Sequence, residues 1–150
     1  MLSEERAPIP EFGDKQKGID YIDRPGVYAV IENHERQIAV IETGKGYFLP
    51  GGGIGIDESE IEALKREILE EFGCQVSRVR EIGEAVEYLE AHSEKKHYQI
   101  RSRFYKVQLG TKVGEGIEED HQLVWLQQED VIKLLKRQSQ VWAVQSMEKA

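Results

Sequence analysis

Hydrophobic residues recur along this chain with two periods, and the places where the period changes outline its elements. Short apolar, β-branched runs at 27–31 (VYAVI) and 37–42 (QIAVIE) flank the polar turn 32–36. Together they predict a β-hairpin. Ahead of them, 19–22 predicts a short strand and Asp23-Arg24-Pro25-Gly26 a turn, proline presetting φ and glycine tolerating the rest. Residues 47–49 predict a short strand behind the turn 43–46. Residues 98–109 alternate, Ile100, Ser102 and Phe104 against Arg101, Arg103 and Tyr105, as a strand with two different faces does. A strand at 76–89 precedes it, and 122–126 forms the last. Helical spacing appears three times: over 59–72, over 128–137 with Val131, Leu134 and Leu135 inward, and in a final helix capped by Ser139 that carries Val141, Trp142, Val144 and Met147. Strands on both sides of one central helix, with further helices after them, predict an α/β fold, a mixed β-sheet in an α/β/α sandwich. Residues 1–18, polar and holding Pro8 and Pro10, are expected to be an N-terminal arm, and 19–150 a single domain.

The central helix carries chemistry that a plain surface helix does not need. Ser59 with Glu62 three residues later is a capping box, and Asp57 and Glu58 suit the positive end of the dipole. At about 100° per residue, Ile61, Leu64, Ile68 and Phe72 share one stripe. Glu67, Glu70 and Glu71 fall together elsewhere, within an arc of about 100°. Glu67 and Glu71 are a like-charge i,i+4 pair, which costs about 0.2–0.5 kcal/mol if nothing neutralises it. They also stand in the half of the helix where the dipole opposes them. Mg²⁺ and similar hard cations prefer carboxylate oxygens, and one ion would relieve both conflicts. Ahead of the helix, Gly51, Gly52, Gly53 and Gly55 allow a tight loop whose backbone approaches a phosphate or a metal.

These residues stand at fixed spacing. Gly52, five residues, Glu58, seven residues, then Arg66-Glu67-Ile68-Leu69-Glu70-Glu71-Phe72-Gly73-Cys74 resembles the Nudix box of the MutT-like Nudix hydrolases at every fixed position. Phe48-Leu49-Pro50-Gly51-Gly52 is similar to the usual lead-in. The resemblance implies the Nudix fold over about 19–148. It also implies Mg²⁺-dependent hydrolysis (Mn²⁺ as substitute) of a nucleoside diphosphate linked to another group X, a pyrophosphatase reaction. By position, Glu67, Glu70 and Glu71 match the metal ligands, with the Gly52 carbonyl as a backbone ligand. Glu67 or Glu70 matches the group that orients or deprotonates water. Arg66 matches an orienting arginine, or else is an ordinary i,i+4 partner of Glu62 and Glu70. Glu58 supports the loop or the helix start, and Gly51, Gly52 and Gly53 form a phosphate loop. Some relatives add a late-loop glutamate as base or extra ligand, for which Glu118 and Glu119 are the candidates. Two other readings remain: a catalytically silent Nudix domain that senses nucleotides, and a structural metal-binding domain. The complete set of glutamates argues against the sensor.

Composition narrows the partners. The net charge of −8 argues against a general nucleic-acid binder and leaves room for a small nucleotide-type substrate met through bound cations. No apolar run approaches the length of a membrane span, and the start of the chain lacks the pattern of an export signal. The lone Cys74 forms no internal disulfide and reads as a small buried residue, which fits a cytoplasmic protein. Family members often pair, so a homodimer is allowed. Gly44-Lys45 is not a Walker A loop, since Ala39 precedes it and Tyr47 opens no helix. His34, His92, His97 and His121 show no zinc spacing and read as surface residues; His97, Tyr98 and Arg101 are secondary candidates for the substrate cleft. Tyr88, Phe104, Tyr105 and Trp125 read as core or sheet surface, one of them available to stack on a base. The basic stretch 132–137, with Lys149, reads as a solvated helix end. No subfamily mark outside the box identifies X.

Overall fold

A computed structural model describes residues 8–116 and 121–149. In chain order its strands are β1 (Glu11–Phe12), β2 (Ile22–Val30), β3 (Ile38–Thr43), β4 (Gly46–Phe48), β5 (Gly51–Gly53), β6 (Cys74–Ala91), β7 (Lys96–Lys112) and β8 (Gln122–Leu126). The helices are α1 (Glu60–Phe72), α2 (Gln128–Leu134) and α3 (Gln138–Ser146). One sheet has the order β1-β6-β7-β2-β5 and the other β4-β3-β8. β2 runs parallel to β7 and antiparallel to β5, so the larger sheet is mixed.

Alternation along β2 separates the layers. Val27 and Ala29 join Leu64, Ile68 and Phe72 of α1 in one core. Val30 joins Phe104, Val131 of α2 and Ala143 and Val144 of α3 in the other. A strand covered on both faces is apolar at successive positions, which is what VYAV supplies. The α/β/α arrangement is therefore as expected, with the strands divided between two sheets.

That division corrects the predicted hairpin. The turn does form: the Asn33 side chain accepts the N–H groups of Glu35 (3.0 Å) and Gln37 (2.9 Å), and Ala39 N–H reaches the Ile31 carbonyl at 3.0 Å. Pairing then stops, and β3 leaves to join β4 and β8. Both runs are apolar throughout, so each needs cover on two faces, and separate sheets provide it.

The predicted turn at Asp23-Arg24-Pro25-Gly26 is instead the first half of β2. Proline fits there for a local reason. Odd residues of β2 face β5, as Ala29 N–H to Pro50 (2.8 Å) and Ile54 N–H to the Pro25 carbonyl (3.4 Å) show. Pro25 therefore directs its missing N–H past the last paired residue of β5, where no ladder continues. Within the expected arm, Glu11–Phe12 forms β1 beside Val86 and Glu87, and Tyr88 donates its hydroxyl to Glu11 at 2.8 Å. Among the described residues no helix is long and apolar enough to cross a membrane.

The C-terminal helices also differ from the pattern. α2 ends at Leu134, because Lys136 N–H bonds the Tyr47 carbonyl (3.1 Å) and pulls the chain toward β4. α3 is not capped by Ser139, which lies buried inside its first turn. The capping group comes from β6: the buried Glu87 accepts both the N–H (2.8 Å) and the hydroxyl (2.7 Å) of Ser139. Glu87→Ala is expected to destabilise the chain by about 2–3 kcal/mol, and Ser139→Ala by about 1 kcal/mol, read from urea midpoints, since bonds to a buried charged acceptor exceed neutral ones. Equal, small losses would show that the carboxylate does not anchor α3.

Candidate functional site

α1 forms where the sequence places its signals. Ser59 accepts Glu62 N–H at 3.1 Å and Glu62 accepts Ser59 N–H at 3.0 Å, so the capping box is complete. At the other end Gly73 adopts φ 67° and closes the helix on the Leu69 carbonyl at 2.9 Å. Leu64, Ile68 and Phe72 are buried as expected, Ala63 joins them, and Ile61 packs at the margin. Glu60 fixes the first turn, taking the Tyr105 hydroxyl at 2.9 Å.

With that face buried, Arg66, Glu67, Glu70 and Glu71 come out beside β5. Arg66 grips Glu58 with two bonds (Nε 2.7 Å, Nη2 2.9 Å), Glu67 at 2.9 Å and Glu70 at 3.4 Å, and gives Nη2 to the Gly53 carbonyl at 3.0 Å. It does more than pair along the helix, since Glu62 is engaged in the cap. Glu58 also accepts Gly55 N–H at 2.7 Å, so it braces the loop. Glu71 accepts Gly51 N–H at 2.8 Å.

The glycines are sterically required at two positions. A Cβ on Gly52 would stand 2.5 Å from Glu67 Oε1, so only glycine lets that carboxylate lie against the strand. A Cβ on Gly51, at φ 141°, would stand 2.1 Å from the Val27 carbonyl. The Gly52 carbonyl, the expected backbone ligand, lies 3.1 Å from where a Cβ on Gly26 would be, on the β2 side. The Gly51 N–H and the Gly53 carbonyl do meet α1 side chains.

Among the described residues no three of His, Cys, Asp and Glu form a ready-made metal cage. The donor chemistry nevertheless fits a hard cation. Glu67 and Glu71 place carboxylate oxygens against adjacent glycines, with Glu70 more exposed on the same helix side (43% against 15% for Glu67). Glu118 and Glu119 lie outside the described residues. The chain leading to them passes the end of α1: Val113 N–H bonds the Gly73 carbonyl at 2.8 Å, and a Cβ on Gly116 would meet the Glu71 carbonyl at 2.4 Å.

Sequence reasoning missed the support behind the loop. Gln140 of α3, buried, accepts Leu49 N–H at 2.8 Å and so fixes the lead-in to Gly51. Arg137, assigned from sequence to a solvated helix end, stacks its guanidinium 5.5 Å from the centre of the Phe48 ring. Burial pushes the Tyr28 phenol pKa up; Arg137 opposes that rise, and the charges of Glu67 and Glu71 add to it. No local signal marks Tyr28, Arg137 or Gln140, because each acts through a distant partner. The secondary candidates are engaged elsewhere: Arg101 binds Asp23 (2.6 Å), Tyr98 donates to Glu94 and lies under Arg24, and His97 packs edge-on to Tyr21.

Arg66 and the Gly55 N–H hold the Glu58 carboxyl at about 2, far below its ordinary 4.5. The folded form thus favours the ionised group, so this brace is fully present above the ordinary value and lost as pH falls toward 2. The Glu58 carboxyl carbon, followed by NMR, is expected to titrate near 2. It should return toward its ordinary value in Arg66→Ala; a native midpoint of about 4 or higher would contradict the paired geometry.

Comparison with known proteins agrees with this geometry. The NUDIX domain matches residues 23–145. A NUDIX hydrolase from Nitrosomonas europaea has a similar structure (18% identity, 85% of this chain and 90% of that one, TM-score 0.64). So do the MutT protein from Bacillus halodurans (20%, 85% and 83%, TM-score 0.67) and the E. coli dihydroneopterin triphosphate pyrophosphohydrolase (15%, 84% and 96%, TM-score 0.67). At these identities the likeness is one of fold. A comparison with curated proteins finds no match. With the domain matched over most of its length and the box residues assembled on one helix and its loop, the chain belongs to the Nudix hydrolase family.

Proposed function

We propose that this chain hydrolyses the diphosphate bridge of a nucleoside diphosphate linked to a further group X, with Mg²⁺, or Mn²⁺ in its place. The observation that carries this reading is the meeting of Glu67 and Glu71 with the Gly51–Gly53 strand, where Arg66 holds Glu58, Glu67 and Glu70. Glu67, Glu70 and Glu71 would hold the cation. Bound there, it would offset the charge of the diphosphate and lower the pKa of a water.

The chain's own residues do the positioning. Arg66 aims Glu67 and Glu70 through its bonds to both carboxylates. Glu70 has the longer bond to Arg66 and the greater exposure, which suits it to take a proton from water. Glu118 and Glu119 are proposed as the alternative base or added ligand, since Gly116, just before them, packs against the backbone of Glu71. Arg137 with Phe48 and Tyr28 provides a cation and two rings beside the lead-in to Gly51, chemistry suited to a phosphate and a planar base.

Incubation with Mg²⁺ and a panel of nucleoside triphosphates, nucleotide sugars, ADP-ribose and dinucleoside polyphosphates is expected to give turnover of one class. Glu70→Gln and Glu71→Gln should each lower kcat by at least about 10²-fold, as removal of a charge-stabilising group does. Unchanged turnover in both variants would remove these carboxylates from the chemistry. Tight binding with no product from any member of the panel would favour a nucleotide sensor.

Arg137→Ala is expected to raise KM by about tenfold with little change in kcat, the signature of lost ground-state binding. A fall in kcat at constant KM would place Arg137 in the transition state instead.

A further inference from the structure

β5 stands at the edge of its sheet, and its two faces meet different chemistry. Gly52 pairs with Val27, which packs in the core under α1, and a Cβ on Gly52 would meet Glu67. Gly51 pairs with Tyr28, which packs against the other core. Successive residues of a strand point to opposite faces, so the Tyr28 ring and the Glu67 carboxylate flank the same glycines from opposite sides. The ring leans along β2. Its Cε2 and hydroxyl lie 3.1 and 3.4 Å from where a Cβ on Gly26 would be, and its Cδ1 lies 2.8 Å from that of Gly51. A Cβ on Gly53 would meet nothing within 4 Å, so no side chain blocks the edge between the two faces there.

The Tyr28 hydroxyl is a donor that the fold leaves unused. Tyr21 accepts the Gln16 N–H, and Tyr88, Tyr98 and Tyr105 donate to Glu11, Glu94 and Glu60. Among the described residues the Tyr28 hydroxyl has no such partner. Its ring is mostly buried and held against Phe104, ring centres 6.0 Å apart. Polar groups in such surroundings are normally hydrogen-bonded, and one that is not calls for an explanation. Arg137, stacked on Phe48, is close enough to the phenol to oppose the rise that burial gives its pKa. A donor and a cation thus meet on the face of β5 that the carboxylates do not reach.

We propose that the Tyr28 hydroxyl, with Arg137 beside it, binds a phosphate oxygen of the substrate, so that the diphosphate crosses the β5 edge from one face to the other. This deepens the hydrolytic reading above and rests on it. One phosphate lies with the cation at Glu67, Glu70 and Glu71, and the next lies with Tyr28 and Arg137. A hydrogen bond to a charged oxygen exceeds one to a neutral atom, and the charge of Arg137 favours an anion at this position. A substrate with one phosphate occupies only one face. The arrangement therefore selects substrates with two or more phosphates in a row.

Calorimetry with imidodiphosphate in Mg²⁺ tests the contact without turnover, because its P–N–P bridge resists hydrolysis. Tyr28→Phe is expected to bind it at least about tenfold more weakly than the native chain, the scale of a lost hydrogen bond to a charged group. Phenylalanine keeps the ring, and the hydroxyl makes no bond within the fold, so the urea midpoint of this variant should not fall. The proposal is overturned if Tyr28→Phe binds imidodiphosphate as the native chain does, or if the native chain does not bind it. It is also overturned if the urea midpoint falls as it does on loss of a buried hydrogen bond, since the hydroxyl would then serve the fold. Loss of affinity in Tyr28→Phe with no turnover of any nucleotide would sink the hydrolytic reading and leave the phosphate contact standing.

Discussion

One guanidinium holds the candidate site together. Arg66 reaches back to Glu58 on the loop, sideways to Gly53 on β5, and along its own helix to Glu67 and Glu70. Loop, strand and helix are thus fixed relative to one another by a single side chain, and arginine suits this because its planar fork offers several donors at set angles. The same contacts oppose the repulsion among acidic neighbours on α1. Arg66 thus sits among the carboxylates of Glu58, Glu67 and Glu70, with Glu71 beside them against β5, the oxygen donors that a hard cation prefers.

Closeness supplies the second constraint. α1 approaches β5 as nearly as it does because Gly51 and Gly52 have no side chains in the way. The loop must then be held from behind, since glycines fix little by themselves. Gln140 does this through the Leu49 N–H, and α3 is in turn anchored to β6 by Glu87. The C-terminal helices, which carry none of the box residues, therefore help decide where the glycines stand.

The central helix was legible because its signals are local. Ser59 and Glu62 cap each other across three residues, Gly73 ends the helix one residue past its last turn, and the apolar stripe repeats at the helical period. The acidic cluster was legible for the same reason. What sequence could not reveal depends on partners far along the chain. Ser139 reads as a cap from its neighbours, but its bonds go to Glu87, 52 residues away. Asp23-Arg24-Pro25-Gly26 reads as a turn until the short extent of β5 is known, which leaves Pro25 beyond the ladder. The turn of the predicted hairpin was read correctly and its strand pairing was not, because two runs apolar on both faces give no preference for each other over β7 or β8. Arg137 reads as a solvated cation until Phe48 is placed beneath it.

The parting of β2 and β3 has two consequences that pull in different directions. It gives both apolar runs cover on two sides, and it leaves part of β7 without a neighbour. An open strand edge invites pairing with another chain, and charged side chains are a common defence. Edge protection accounts for a lysine or an arginine near the opening.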